Sequence, residues 1–162
     1  MQERITPWEP SLVQPASLDV RLGKLVLVPN VNDGSQLLVG VDKPTYDTYQ
    51  TPYVLDPQAF ALFTTKAEFD FPDNIAGKYE GKSGLGRIGL MTHITAGFID
   101  PGFKGNLTLE LYNVGPYCLY LQEGIKIGQI AFFEVEPVMR PYGSESLKSH
   151  YQDSVGAVGY RP

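Results

Sequence analysis

KSGLGRIGLMTHITAGFIDPGFKGNLTLELYN, Lys82 to Asn113, closes on the run that decides the fold class. From Asn106 to Tyr112 the period is two. Leu107, Leu109 and Leu111 fall on one face, while Thr108, Glu110 and Tyr112 fall on the other, the pattern of a half-buried strand. Glu110 therefore points away from the leucine layer. The stretch opens with a small-residue turn carrying Ser83 and Arg87. It also holds a second acid, Asp100, framed by Gly97, Pro101, Gly102 and Gly105, residues that let a backbone turn sharply and approach a ligand closely.

Reading outward from this run, the rest of the chain is punctuated in the same way. Its 17 glycines and 13 prolines separate short runs rich in Val, Ile, Leu, Tyr and Phe, which predicts an all-β protein. Leu18, Val20 and Leu22 alternate with Asp19 and Arg21, and Lys24 to Val28 continues that strand to Pro29. Asn30 to Pro52 is mostly polar and reads as a surface hairpin or excursion with an Asn32-Asp33-Gly34 turn. Strands resume at Tyr53 to Leu55 and Phe60 to Thr65, with Phe69, Phe71 and Ile75 as core and corner residues. Cys118 to Leu121, the Gln122-Glu123-Gly124 turn and Ile125 to Val135 read as a closing hairpin. These elements predict a β domain over residues 1–138. The tail, residues 139–162, loses apolar periodicity but keeps Tyr142, Tyr151 and Tyr160, and reads either as a frayed end or as a lid that orders over a ligand.

A chain of 162 residues that is 43% hydrophobic is long enough for one domain with a real core. The net charge of -5 and pI near 5.0 exclude a protein that coats nucleic acid, since that needs a basic face. Cys118 is the single cysteine, so neither an intramolecular disulfide nor a Cys/His zinc cluster is expected, and a reducing, cytoplasmic setting fits. No window approaches a membrane span, so a soluble protein is expected.

The chemistry-bearing residues each have two readings. Glu110 is either an ordinary solvated strand carboxylate or, in an enclosed site, a group that accepts and returns a proton. Ser83 and Arg87, four apart, fall on one face of a helical turn and can orient a water; otherwise Ser83 caps a short helix and Arg87 makes a weak surface pair. Lys82, Arg87, Lys104, Lys126 and the N–H groups of Ser83-Gly84-Leu85-Gly86 are phosphate candidates, though the turn is neither a Walker A loop nor GxGxxG. His93 and His150 are the only histidines, and neither lies in a nucleophile-elbow context. The combination suggests hydrolytic chemistry on a nucleotide.

Five segments, QPASLDVRLG (Gln14 to Gly23), GKSGLGRIGL (Gly81 to Leu90), TAGFIDPGFKGNLTLELYN (Thr95 to Asn113), GIKIGQI (Gly124 to Ile130) and RPYG with HYQ (Arg140 to Gly143, His150 to Gln152), resemble the dCTP deaminases of the trimeric dUTPase superfamily. The resemblance implies a distorted jelly-roll β-barrel and a homotrimer with active sites shared between subunits. It implies Glu110 as proton shuttle, with Ser83, Arg87 and the carbonyl of Ala96 holding the attacking water and amino group. Asp100 would meet the deoxyribose hydroxyl, and Lys82 to Arg87, including Gly84, Leu85 and Gly86, would contact the triphosphate, with Mg2+ bound through its phosphates. Ile94, Gly97, Phe98, Thr108, Leu109, Gln129, Tyr142, His150, Tyr151 and Ser154 would complete the dCTP or dUTP site.

No protein metal site is implied. Zinc-dependent nucleobase deaminases use a His-x-Glu and Pro-Cys-x-x-Cys arrangement, which one cysteine cannot supply, so protein groups must activate the water. Plain dUTPases usually carry an apolar residue in place of Glu110 and no cation at Arg87, which favours deamination. Ala96-Gly97-Phe98-Ile99-Asp100 resembles the form found in bifunctional, dUMP-forming enzymes. Gly84, often a second serine, and His150 and Ser154, usually lysine and glutamine, keep two other readings open: a dUTPase without deaminase activity and a silent nucleotide-binding trimer.

Overall fold

The computed structural model describes residues 1–31 and 36–162; the expected Asn32-Asp33-Gly34 turn lies outside the described residues. The strands, in chain order, are β1 (Ile5–Thr6), β2 (Leu18–Pro29), β3 (Tyr46–Gln50), β4 (Tyr53–Leu55), β5 (Phe60–Asp70), β6 (Ile75–Gly81), β7 (Leu90–Met91), β8 (Phe98–Ile99), β9 (Lys104–Asn113), β10 (Leu119–Leu121) and β11 (Lys126–Glu134). Among the described residues one short α-helix, α1 (Ser83–Gly86), interrupts them, and three 3-10 turns lie at Gln2–Arg4, Pro10–Leu12 and Glu145–Leu147. The all-β expectation holds.

The main sheet runs β7-β9-β5-β2-β11-β6-β8, with β1 added to β5 and β3 to β2. These pairs are antiparallel, and the sheet curls into a half-barrel. Leu22, Val26, Phe63, Leu109, Leu111, Ile127 and Ile130 are fully buried along its concave side, each adding about 1.5–3 kcal/mol of burial where the side chain is large. Leu109 and Leu111 face this core as the period of two requires, and Thr108, Glu110 and Tyr112 stay half-buried on the opposite face. The excursion after Pro29 returns as β3, which lies exposed along β2.

Three local expectations are corrected. Asp19 belongs to the polar half of its alternation yet is only 3% exposed, because β11 and β6 follow β2 in the sheet and bring Lys126 and Lys82 onto its two oxygens. The closing hairpin does not form: β10 pairs with β4, and β11 with β2 and β6. The intervening turn docks on β2 instead, through Gly124 N–H to the Leu22 carbonyl (2.8 Å) and Leu22 N–H to the Ile125 carbonyl (2.9 Å). Nor is the tail frayed: Ser154 and Ala157 are buried, and Ser154 forms a parallel bridge with Gly105 of β9. Among the described residues, no helix is long and apolar enough to cross a membrane.

Candidate functional site

A cavity of about 410 Å³ opens where β9, the loop before β8 and the tail converge, a volume suited to a ligand of nucleotide size. Glu110 reaches it because the alternation of β9 turns every second side chain out of the core. It stands opposite Leu62 of β5, half-buried, and its Oε2 accepts the Ile94 N–H at 2.9 Å. That amide is a preformed donor to the carboxylate. The loop bearing it, residues 92–97, hangs between the two-residue strands β7 and β8, so its position depends on contacts outside regular pairing.

Tyr79 of β6 supplies several of those contacts. Its N–H donates to the Gly97 carbonyl at 2.7 Å, and its ring meets the His93 ring edge-on, with centroids 5.7 Å apart. Burial pushes the Tyr79 hydroxyl well above the ordinary tyrosine range, and the neighbouring Thr92 hydroxyl only tempers that rise; the two do not complete a hydrogen bond. The hydroxyl therefore stays protonated. At Gly97 a β-carbon would lie 2.6 Å from the Tyr79 carbonyl, so the absent side chain is a steric requirement of this loop.

Of the residues singled out in the sequence, Ala96, Gly97, Phe98, Asp100, Thr108, Leu109 and Glu110 line this cavity from the body of the fold. Tyr142, Tyr151 and Ser154 line it from the tail. The Tyr142 hydroxyl accepts the Tyr151 N–H at 3.1 Å, and burial raises its pKa from the ordinary tyrosine value. The Ser154 hydroxyl is spent on the Tyr151 carbonyl (2.6 Å). Ile94 touches the site through its amide. His150 is exposed and does not line the cavity.

Lys82, Ser83, Gly84, Leu85, Gly86 and Arg87 form a second group that does not line the cavity of the same chain. Ser83 to Gly86 make the expected helical turn, closed by Arg87 N–H to the Ser83 carbonyl at 3.1 Å. Lys82, rather than Ser83, occupies the capping position, and it makes no side-chain cap. Ser83 and Arg87 are exposed. Gln129 sits beside them on β11, in register with Asp19 and Glu80, and accepts the Ser17 hydroxyl at 3.2 Å. Burial pushes the Asp19 carboxyl up, but the Lys82 and Lys126 ammonium groups more than offset it and hold it below the usual carboxylate range. The result is a locally cationic corner beside the Ser83 turn.

Sequence reasoning missed Tyr79, His93 and Tyr46 as cavity residues, while Tyr160, kept in the tail read as a possible lid, does line it. No local pattern marks them, since each arrives from a different element. Among the described residues, no cluster of three or more His, Cys, Asp or Glu side chains is arranged to hold a metal.

The dCTP deaminase-like family model matches residues 1–135. The chain belongs to that family. It is 43% identical to a "dCTP deaminase, dUMP-forming" of Bifidobacterium animalis subsp. lactis, covering 97% of this chain and 84% of the relative. It is 44% identical to the protein so named from Corynebacterium diphtheriae, over 94% of this chain and 84% of that one. Among solved structures, the 2'-deoxycytidine 5'-triphosphate deaminase of Agrobacterium tumefaciens superposes with a TM-score of 0.65 at 20% identity, covering 83% of this chain and 44% of that one. A dUTPase variant from phage phi11 of S. aureus, solved with a structural Mg(II) ion, gives 0.52 at 15% identity, over 88% and 97%. These two likenesses concern the fold, which this dCTP deaminase-like chain shares with dUTPases.

Proposed function

We propose that the protein deaminates dCTP without a zinc site and hydrolyses the resulting dUTP to dUMP and diphosphate. The observation that carries this reading is Glu110: a strand carboxylate held by the Ile94 amide in a nucleotide-sized cavity. Glu110 takes a proton from water, and hydroxide attacks C4 of cytosine. That proton passes to the ring nitrogen, a second one passes from the added C4 hydroxyl to the amine as the carbonyl forms, the C4–N bond breaks, ammonia departs, and uracil remains. A second water then opens the bond between the α- and β-phosphates. The names of the relatives and the side-chain-free Gly97 beside Ala96 support the dUMP-forming outcome.

Ser83 and Arg87 stand outside the cavity within one chain, so the reading includes a homotrimer in which a neighbouring copy brings them to Glu110. There they stabilise charge developing on the tetrahedral species. Phe98, which lines the cavity, and Ile94, whose amide meets Glu110, are exposed, apolar surface that association would cover. Lys82 and the N–H groups of Ser83 and Gly84 hold the triphosphate, those of Leu85 and Gly86 being donated to the Lys82 carbonyl within the turn, and residues 139–162 act as the lid of the β domain, residues 1–138. Magnesium carried on the phosphates would neutralise part of their charge. With no carboxylate cage among the described residues, this site fits an ion carried on phosphates and water, as magnesium prefers. The acidic chain suits a small cytoplasmic nucleotide rather than nucleic acid.

The test incubates purified protein with dCTP and magnesium, and separately with dUTP, and resolves dUTP, dUMP and ammonia. Glu110→Gln is expected to lower ammonia release by about 10²- to 10⁴-fold. Undiminished uracil production by that variant overturns the assignment, and hydrolysis of dUTP with no attack on dCTP selects a plain dUTPase.

A further inference from the structure

The polar face of β9 carries a feature that the reaction does not use. Asn106, Thr108 and Glu110 project from it at a spacing of two. The tail crosses this face with the same spacing: Asn106 Oδ1 accepts the Gly156 N–H at 2.9 Å, and Thr108 Oγ1 accepts the Val158 N–H at 2.9 Å. The next tail amide, Tyr160 N–H, donates to the Tyr46 hydroxyl at 3.1 Å and leaves the Glu110 carboxylate to Ile94. One rung earlier, Asn106 N–H donates to the Ser154 carbonyl at 2.8 Å. The tail thus lies along β9 in register, held largely by side-chain acceptors in place of a strand ladder.

Asn106 is itself fixed from behind. It is 8% exposed, and its Nδ2 donates to the Thr65 and Ala67 carbonyls at 3.2 and 3.1 Å. Those carbonyls are turned toward it by the bulge where the β5 and β9 register shifts between Thr64 and Glu68. The Thr65 hydroxyl accepts the Leu107 N–H at 3.0 Å, locking the same corner. Tail residues Ser154, Val158 and Tyr160 form one wall of the cavity containing Glu110. Backbone bonds fix this wall at Asp153 and Ser154, whereas from Gly156 to Tyr160 the amides that reach the fold are accepted by the side chains of Asn106, Thr108 and Tyr46.

We propose that Asn106 and Thr108 are positioning residues for the substrate cavity, reading the tail backbone at Gly156 and Val158 so that residues 154–160 form a wall around bound nucleotide. The Thr108 hydroxyl, expected from the family resemblance to flank the base, then serves the cavity through the tail. The proposal rests on the nucleotide reading of the cavity for its kinetic consequence only.

Hydrogen–deuterium exchange and steady-state kinetics on the full-length protein test it with Thr108→Val, Thr108→Ser and Asn106→Ala. Thr108→Val keeps the shape and removes the acceptor. It is expected to speed exchange across residues 156–158 about tenfold, the effect of losing one hydrogen bond, and to raise nucleotide KM more than it lowers kcat. Thr108→Ser restores the acceptor and is expected to return both quantities to near wild type. Should Asn106→Ala fold poorly, Thr108→Val, on a half-buried hydroxyl, still gives the answer. Unchanged tail exchange in Thr108→Val overturns the proposal. Faster exchange measured without ligand sustains the tail assignment even if Glu110→Gln keeps its activity, so failure of the catalytic reading is distinguishable.

Discussion

Replacing Asp19 by Asn removes one charge from beneath the Ser83 turn with almost no change of shape. Its Oδ1 accepts from Lys82 Nζ, and its Oδ2 accepts from Lys126 Nζ at 2.9 Å. Asp19 is 3% exposed, while the lysine side chains are 29% and 42% exposed. A charge-assisted bond to a buried carboxylate is worth about 1.5–3 kcal/mol, and a solvent-screened pair about 0–1 kcal/mol. The more exposed Lys126 pair belongs near the lower figure. Asparagine keeps one acceptor but turns its NH₂ toward the other ammonium, so the expected loss is about 2–3 kcal/mol at pH 7. The Asp19 carboxyl titrates below its ordinary range in the folded protein. Its contribution is therefore present above the unfolded pKa of about 3.9 and is lost as pH falls through the lower folded value. Urea unfolding of both proteins at one fixed protein concentration, since assembly shifts the midpoint, should show a wide gap at neutral pH that narrows below about pH 4. A gap independent of pH, or one below about 0.5 kcal/mol at pH 7, would refute the reasoning.

Two further substitutions probe the frame around the site. Asn113 is fully buried; its Nδ2 donates to the Leu55 and Tyr117 carbonyls at 2.9 and 2.7 Å, and its Oδ1 accepts the Gly115 N–H at 3.0 Å. Asn113→Ala should cost about 3 kcal/mol by denaturant titration, about 1 for each bond removed, and a loss under about 1 would show that water replaces them. Gly128 lies beneath the Tyr79 ring, where a β-carbon would come 2.2 Å from the hydroxyl. Gly128→Ala should destabilise by about 1–3 kcal/mol through overpacking. The penalty should largely vanish in a Tyr79→Leu background, and its persistence in the double-mutant cycle would place the clash elsewhere.

Legibility followed the range of the interaction. The face assignment of β9, the strand from Leu18 to Pro29 and the Ser83 turn were readable because each is fixed by neighbours two to four residues away. The closing hairpin misread Gly124 as a turn joining its own flanking strands, when β10 pairs with the equally short β4 in a separate sheet and β11 is taken up between the longer β2 and β6. Asp19 looked like a solvent-facing residue because nothing near it in the chain reveals that lysines 63 and 107 positions later will meet it. The tail looked structureless because its hydrogen bonds go to isolated backbone groups and to side chains of β9 and β3, which leave no hydrophobic period to detect.

The amino-acid order alone settled that this chain makes short strands, that Glu110 faces away from the leucines, and that Ser83 and Arg87 share one turn. These follow from side-chain spacing along the backbone. Only folding decided which side chains enclose the cavity, that Ile94 caps the carboxylate and that the tail forms a wall. Such contacts join segments distant along the chain, and their energies exist only after strand pairing has brought those segments together.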